Sequence, residues 1–138
     1  PAIAKELGLE LIESTINATT EYSELIVVEL NKGGEKFRLA GSIIGKSPRI
    51  VEINKLYVDT NIEGNFLIVK NDDRPGIVGL IGTSLAENKL NIANLSLARN
   101  KSEGNALTVI ELDSPATQEI IDTLGAAAGV ISVKALEI

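Results

Sequence analysis

The 138-residue sequence contains no cysteine, histidine, methionine or tryptophan, and aromatic residues make up only 3% of it. Without cysteine and histidine there can be no disulfide, no thiolate chemistry, no imidazole general base and no transition-metal site built on sulfur or nitrogen ligands. These absences remove most enzyme mechanisms, so we expect no catalytic residue and no metal site in this chain. With so few aromatic rings, the core has to be built from Leu, Ile, Val and Ala.

Charge and hydropathy exclude further classes of function. The formal net charge is -6 and no run of Lys and Arg occurs, whereas nucleic-acid binding needs clustered cations. No apolar run approaches the roughly 18 residues of a membrane span, and the first residues do not resemble an export signal. We therefore expect a cytoplasmic protein without a nucleic-acid or membrane partner. Because the chain starts at Pro1 and lacks Met, we also expect it to be part of a longer polypeptide.

The first half of the chain predicts mostly strands. A helix end over 2–7 stopped by Gly8 is followed by apolar, β-branched segments that predict strands over 9–16, 25–30, 36–44, 49–53 and 56–58. The segment LIVVEL, 25–30, is almost continuously apolar and predicts a buried central strand. The polar, turn-rich stretch 59–65 marks a boundary. We expect two domains, over 1–64 and 65–138.

The second half predicts a regular βαββαβ order. Strands are expected over 66–70, 91–99, 106–112 and 130–138. A helix is expected over 75–88, and a second one is expected to begin with Ser114 as its N-cap and to end at Gly129. Both helices are amphipathic, so they should cover one face of an antiparallel sheet. The predicted fold class is α+β, with a ferredoxin-like arrangement.

The stretch NDDRPGIVGLIG, 71–82, contains three glycines at every third position of the first predicted helix. Gly76, Gly79 and Gly82 would together destabilise a helix by about 2 to 3 kcal/mol relative to alanine. Because glycine lacks a Cβ, the backbone there can approach another element closely. That element could be the sheet beneath the helix, or a ligand.

The start of this helix is chemically suited to a small zwitterion. The N–H groups of Gly76, Ile77 and Val78 would have no partner within the helix, and they would suit a carboxylate. Asp73 could accept from an ammonium group and Asn71 could donate or accept, although Asp72 and Asp73 could equally serve as helix caps. Asn91 could be a turn residue or a buried amide beside the same ligand.

These residues carry a resemblance to a known family. The segment NDDRPGIVGLIGTSLAENKLNIANLSLAR, 71–99, is similar to the DRPG-helix-NIA signature of ACT domains, regulatory modules that bind amino acids. The upstream block LAGSIIGKSPRIVEINKLYVDTNIEGNFLIV, 39–69, resembles the segment that joins an intervening domain to the ACT domain in long-form D-3-phosphoglycerate dehydrogenases. The resemblance covers essentially the whole chain. It implies an ACT domain preceded by part of an α/β intervening, allosteric-substrate-binding domain.

The resemblance also implies a ligand and a partner. L-Serine would bind between the ACT domains of a homodimer, near side chains that precede the Arg-Pro-Gly and near the Asn of Asn-Ile-Ala from the partner chain. The implied effector site consists of Asn71, Asp73, Arg74, Pro75, Gly76, Ile77, Asn91 and Ile92. Some family members have His and Asn at the positions of Asn71 and Asp73, so selectivity for serine stays open.

In the upstream domain the resemblance implies an anion site, for which Lys46 and Arg49 are the nearest cations. Both could instead be solvated surface residues.

Catalysis is not expected from this chain, because it has neither a dinucleotide-binding motif nor a histidine. The implied parent is an NAD-dependent oxidoreductase, and the chain itself needs no cofactor. Two other functions stay open. One is a dimerisation module without a ligand, and the other is the ACT-containing chain of an iron-sulfur L-serine dehydratase.

Overall fold

The structure is a computed structural model that describes residues 6–8, 10–15, 21–22 and 24–138. It contains two four-stranded sheets and two helices, which confirms the predicted α+β class. The elements in chain order are β1 Leu25–Lys32, β2 Glu35–Ile44, β3 Ser47–Ile53, β4 Leu56–Asn61, β5 Asn65–Asp72, α1 Ile77–Glu87, β6 Ile92–Asn100, β7 Asn105–Leu112, α2 Gln118–Gly125 and β8 Val130–Glu137.

The first sheet is an antiparallel meander in the order β1-β2-β3-β4. Its hairpins turn through residues with positive φ, such as Gly33 and Gly34 at 58° and 86°. Two successive left-handed residues form the tight turn whose twist matches that of antiparallel strands, and glycine adopts this conformation readily. Between residues 24 and 64 the structure has strands only, so the helical part of the expected α/β character is not found in this segment.

In the first half one predicted strand was not found, and another strand was found at a different place in its sheet. Residues 10–15 of the predicted strand 9–16 are not in a strand, and Leu9 and Ile16 lie outside the described residues. The segment 25–30 does form a strand, but β1 is at the edge of its sheet and seven of its eight residues are exposed. An apolar run indicates a strand, but its position in the sheet depends on pairing with distant segments. The helix end predicted over 2–7 lies mostly outside the described residues.

The second sheet has the order β6-β7-β5-β8, with all neighbours antiparallel. The two strands that precede the helices, β5 and β7, are the central pair, which is the ferredoxin-like topology predicted from the βαββαβ order. Both helices cover the same face of this sheet. The core between them includes Leu67 and Ile110 from the sheet and Ile81 and Leu124 from the helices, all fully buried.

The opposite face of the second sheet contacts the first sheet. Phe66, Ala98 and Val109 pack there against Ile53 and Val58. Because side chains alternate between the two faces of a strand, β5, β6 and β7 each serve both cores. The second sheet therefore lies between a layer of helices and part of the first sheet.

A buried carboxylate joins the two sheets. Glu111 in β7 is 7% exposed and accepts hydrogen bonds from the hydroxyl of Thr60 at 2.7 Å and from the backbone N–H of Asn61 at 2.7 Å. The side-chain amides of Asn61 and Asn94 also donate to it, at 2.6 and 3.1 Å. Three donors therefore come from β4, and the fourth comes from β6.

Both helix starts differ from their predictions. α1 begins at Ile77 rather than at Pro75, because Gly76 takes φ 94° and serves as its N-cap. α2 is capped by Thr117, whose hydroxyl accepts from the N–H of Ile120 at 3.5 Å, and not by Ser114. It ends at Gly125 rather than at Gly129. No helix in the described part of the chain is long and apolar enough to cross a membrane.

Candidate functional site

Most of the predicted effector residues lie together where β5 leads into α1. Asn71, near the end of β5, is 3% exposed and lies on the helix-covered side of the sheet, next to the fully buried Thr108. Its side-chain amide donates to the carbonyl of Asp72 at 2.7 Å, and its oxygen accepts a long 3.4 Å hydrogen bond from the Thr108 hydroxyl. Asn71 is thus a buried amide whose oxygen has only a weak partner among the described residues.

The first turn of α1 has no side-chain cap. Its N-cap Gly76 makes no side-chain hydrogen bond, and the first turn contains no acidic residue. The reading of Asp72 and Asp73 as caps of this helix is therefore wrong. In any α-helix the first N–H groups lack an intrahelical partner and lie at the positive end of the dipole. Here they belong to Ile77, which is buried, and to the exposed Val78 and Gly79.

Asp73 is paired within the chain. Nε of Arg99 lies 2.9 and 2.8 Å from the two carboxylate oxygens of Asp73, whose side chain is 20% exposed. A ligand ammonium group at Asp73 would therefore have to share the carboxylate with this guanidinium or displace it. Local sequence does not indicate Arg99, because it is 26 residues away from Asp73. The two come together because β6 pairs with β7 and β7 pairs with β5, so that Arg99 and Asn71 both lie opposite Ala106.

Arg74 lies away from Asp73, against the turn that follows α2. Its guanidinium donates to the carbonyl of Ala128 at 2.6 Å. The guanidinium also passes so close to Gly129 that a Cβ there would clash with Nη2. The carbonyl of Gly129 accepts from the N–H of Asp72 at 2.8 Å. Arg74 and Gly129 therefore tie the β5–α1 connection to the start of β8.

Replacing Gly129 with alanine is expected to reduce stability and to displace Arg74. The φ of 89° at Gly129 disfavours any residue with a Cβ, which costs about 1 to 2 kcal/mol. Gly104→Ala is the matched control, because Gly104 has φ 68° and open space where its Cβ would be. Urea unfolding should give a larger loss for Gly129→Ala. Equal losses for the two variants would show that the contact with Arg74 is unimportant.

Asn91 and Ile92 are at the other end of the sheet. Asn91 is exposed and its amide donates to the carboxylate of Asp113 at 2.6 Å. Leu112 pairs with both Ile92 and Asn65, whereas Asn71 pairs with Ala106 six residues further along the ladder. Six residues of antiparallel strand span about 20 Å. One chain therefore cannot bring Asn71 and Asn91 to the same small ligand.

The glycines inside α1 do not serve helix-on-sheet packing. Gly79 is exposed and Gly82 half-buried, and a Cβ added at either position would have no described atom within 4 Å. The buried stripe of α1 consists instead of Ile77, Ile81 and Leu85. No residue in the described part of the chain uses the close approach that these glycines permit.

The two predicted anion-binding residues are in the first sheet. Lys46 lies in the exposed turn between β2 and β3. Arg49 follows in β3, where its Nε donates to the carboxylate of Asp59 at 2.7 Å and its Nη1 donates to the side chain of Asn61. The charge of Arg49 is therefore already compensated, so an anion site at this place stays a prediction.

A cleft between the two sheets lies away from the predicted site. A space of about 610 Å³ opens between the two sheets and is lined mainly by apolar residues, including Phe37, Leu39, Phe66 and Ile68. None of the predicted effector or anion-binding residues lines it. Among the described residues, no group of three or more acidic side chains is placed to hold a metal ion.

Comparison with known proteins finds relatives of the kind that the motif over 71–99 suggested. No family model matches the chain. It is 29% identical over 138 residues to D-3-phosphoglycerate dehydrogenase of Archaeoglobus fulgidus, and 29% identical over 124 residues to the enzyme of Methanocaldococcus jannaschii. These matches cover 99% and 90% of this chain but only 26% and 24% of those relatives. The chain thus spans about a quarter of their length.

A different protein also matches. The L-serine dehydratase beta chain of Peptoniphilus asaccharolyticus is 26% identical over 121 residues, which cover 86% of this chain and 54% of that relative. The D-3-phosphoglycerate dehydrogenases match more of this chain, and the enzyme of Bacillus subtilis aligns with 99% of it at 26% identity. The resemblance to one region of the D-3-phosphoglycerate dehydrogenase family, predicted from the motif, is therefore confirmed across nearly the whole chain.

Proposed function

We propose that this chain is the regulatory, amino-acid-binding region of a D-3-phosphoglycerate dehydrogenase, and that it binds L-serine between two copies of itself. The observation that carries the proposal is the buried Asn71 beside an α1 start that has no side-chain cap. The similarity to D-3-phosphoglycerate dehydrogenases supports the choice of parent enzyme. In this proposal residues 1–64 and 65–138 are separate domains, and the second is an ACT domain.

The chemistry of the site suits the two charged ends of an amino acid. The ligand carboxylate would accept hydrogen bonds from the first N–H groups of α1, where the helix dipole also favours negative charge. The ammonium group would approach Asp73 in competition with Arg99, and Asn71 would bind either end. Pro75 and Gly76 shape the entry, because Gly76 adopts φ 94° and no atom fills the space beside it.

In this proposal a second copy of the chain brings Asn91 and Ile92 to the ligand. Asn91 and Ile92 are about 20 Å from Asn71 along the sheet, so they would reach the ligand only from a partner arranged antiparallel to the first chain. The free space at Gly79 and Gly82 supports a close approach of that partner to α1. Two equivalent sites would then lie across a two-fold axis.

Regulation follows if the ligand favours one arrangement of the parent enzyme. A ligand shifts a conformational equilibrium only by its difference in affinity for the two states. Serine would tighten the pair of regulatory regions and so bias catalytic domains elsewhere in the parent, which would use NAD. In this proposal the described chain contributes binding and not catalysis.

Isothermal titration with L-serine tests the binding proposal. We expect saturable heat at millimolar or lower serine, one ligand per chain, and a rise in the sedimentation coefficient that reports dimer formation. D-Serine is the matched control, because its inverted centre cannot place both charged ends and the hydroxyl in the same contacts. Absence of heat and of any thermal shift at 10 mM serine, taken here as roughly the weakest useful effector affinity, would contradict the proposal.

A dimerisation module without a ligand is the second candidate. The exposed Gly79 and Gly82 favour it, because close helix contact alone would explain them. In that case Asp73→Ala would alter dimerisation but leave the response to serine unchanged, because serine would not shift the monomer–dimer equilibrium of the unsubstituted chain either. The similarity to the L-serine dehydratase beta chain, which covers 86% of this chain, supports a third candidate function.

A further inference from the structure

The outer edge of β1 is an unusually apolar strand edge. Within the described part of the chain β1 pairs only with β2, so one side of its backbone is unpaired. Ile26, Val28 and Leu30 point to one face and are 73%, 51% and 44% exposed. Native proteins normally protect such edges with charge, proline or a covering element, because an apolar free edge pairs with other strands.

The backbone geometry determines which residues of β1 could pair outward. Lys32 and Glu35 flank the two-residue turn, so they form a hydrogen-bonded pair, and every second pair from there does the same. The N–H and C=O groups of even-numbered β1 residues therefore point to β2. Those of Leu25, Val27, Glu29 and Asn31 point outward.

We propose that β1 pairs with β1 of a second copy, antiparallel, with the two-fold axis at Val28. In this register the outward-pointing residues meet each other, as Leu25 with Asn31 and Val27 with Glu29. Residues with equal distance from Val28 lie opposite across the axis. The pairing would extend two four-stranded sheets into one of eight strands.

The side chains favour this register over its neighbours. With the axis at Val28, Ile26 lies opposite Leu30 and Glu24 lies opposite Lys32, on both sides of the axis. An axis at Glu29 would place this carboxylate opposite its own copy, which is unfavourable. An axis at Val27 would place Glu24 opposite Leu30 and leave Lys32 without an acidic partner. A two-fold axis between two residues would place odd-numbered residues opposite even-numbered ones. The outward-pointing N–H and C=O groups of one copy would then not face those of the other.

This contact differs from the serine-dependent interface proposed above. β1 is in the first sheet, whereas Asn71, Asn91 and α1 are in or against the second. Each surface could form without the other. A chain using both would build assemblies larger than a dimer, because the two interfaces bring in different neighbours.

Single-cysteine cross-linking tests the proposal, since the chain contains no cysteine of its own. Val28→Cys places two thiols opposite each other at a non-hydrogen-bonded pair, where the Cα atoms are about 4.5 Å apart and a disulfide can form. We expect a disulfide-linked dimer under mild oxidation in the 138-residue chain. Tyr57→Cys is the control, because Tyr57 is 63% exposed but lies on β4.

A mixture of two single-cysteine variants tests the register of the β1 pairing. Ile26→Cys and Leu30→Cys should cross-link to each other at least tenfold faster than either cross-links to itself, because like positions are about 13 Å apart along the strands. Exchanging the charge in Lys32→Glu should slow the Val28→Cys reaction about threefold, and adding Glu24→Lys should restore it.

Either of two results would overturn the pairing. One is a rate for Val28→Cys no greater than that for Tyr57→Cys, which would leave β1 exposed or covered by some other segment. The other is equal cross-linking of Ile26→Cys with itself and with Leu30→Cys, which would show non-specific collision. Adding Asn91→Ala should leave the β1 cross-link unchanged, so failure of the serine proposal would not affect this test.

Discussion

Replacing Glu111 with alanine is expected to lower the free energy of unfolding by about 3 kcal/mol. The substitution removes the acceptor of four hydrogen bonds and leaves the hydroxyl of Thr60 and the backbone N–H of Asn61 without it. A buried donor without an acceptor keeps the full cost of leaving water, which is larger than the net gain from an ordinary hydrogen bond. Urea denaturation measures the loss.

Glu103→Ala is the control for this prediction. Glu103 also accepts from an asparagine amide, that of Asn105 at 2.9 Å, and lies 3.8 Å from the ammonium of Lys70. Its side chain is exposed, so water replaces the lost contacts and stability should change little. A similar loss in both variants would show that the junction between the sheets is not held by Glu111.

Acidification should affect the same junction. Burial raises the pKa of the Glu111 carboxyl, but hydrogen bonds from Thr60, Asn61 and Asn94 outweigh it, and the pKa is lowered from its ordinary value. A carboxyl whose pKa is lower in the folded state stabilises the fold fully above its unfolded pKa. That contribution is lost as the pH falls through the lower, folded value. Glu111→Gln should therefore unfold with less pH dependence in this acidic window than the unsubstituted chain.

Asn71→Ala is expected to weaken L-serine binding by at least about tenfold, which corresponds to one lost hydrogen bond to a charged group. Without a ligand, the side-chain oxygen of Asn71 accepts only a long 3.4 Å hydrogen bond from Thr108. A bound ligand would give this oxygen a stronger hydrogen-bond partner. Isothermal titration measures the affinity, and thermal unfolding verifies that the variant folds. Asn88→Ala is the control, since this exposed asparagine is at the far end of α1. Unchanged serine affinity in Asn71→Ala would place the ligand elsewhere.

Local sequence patterns predicted the second sheet well. The alternation between strands and amphipathic helices predicted the βαββαβ order that the structure has. Helix starts were less predictable. Ser114-Pro115 has the local sequence of a helix start, yet Thr117 provides the cap. α2 then buries Ile120 and Leu124 in the core.

Pairing between distant segments explains the other differences. The run LIVVEL indicates a strand, but nothing within it shows that β1 is the last strand of its sheet. Asp73 was expected to be available to a ligand, whereas Arg99 from β6 pairs with it. Glu111 is the single charged residue in the mostly apolar run ALTVIEL, which is one local sign of a special role. Its partners Thr60 and Asn61, however, are about 50 residues earlier in the chain.

The most direct test of serine binding between two copies of the chain is to mix two variants that each fail to bind serine. If each ligand contacts Asn71 of one copy and Asn91 of the other, Asn71→Ala and Asn91→Ala should each lose serine binding. A mixed dimer would then have one intact site, so an equal mixture should recover about a quarter of the sites at statistical exchange. Recovery of high-affinity binding at that stoichiometry supports a ligand held between two chains. If the mixture binds no more serine than the separate variants, the site is not shared and the proposal is contradicted.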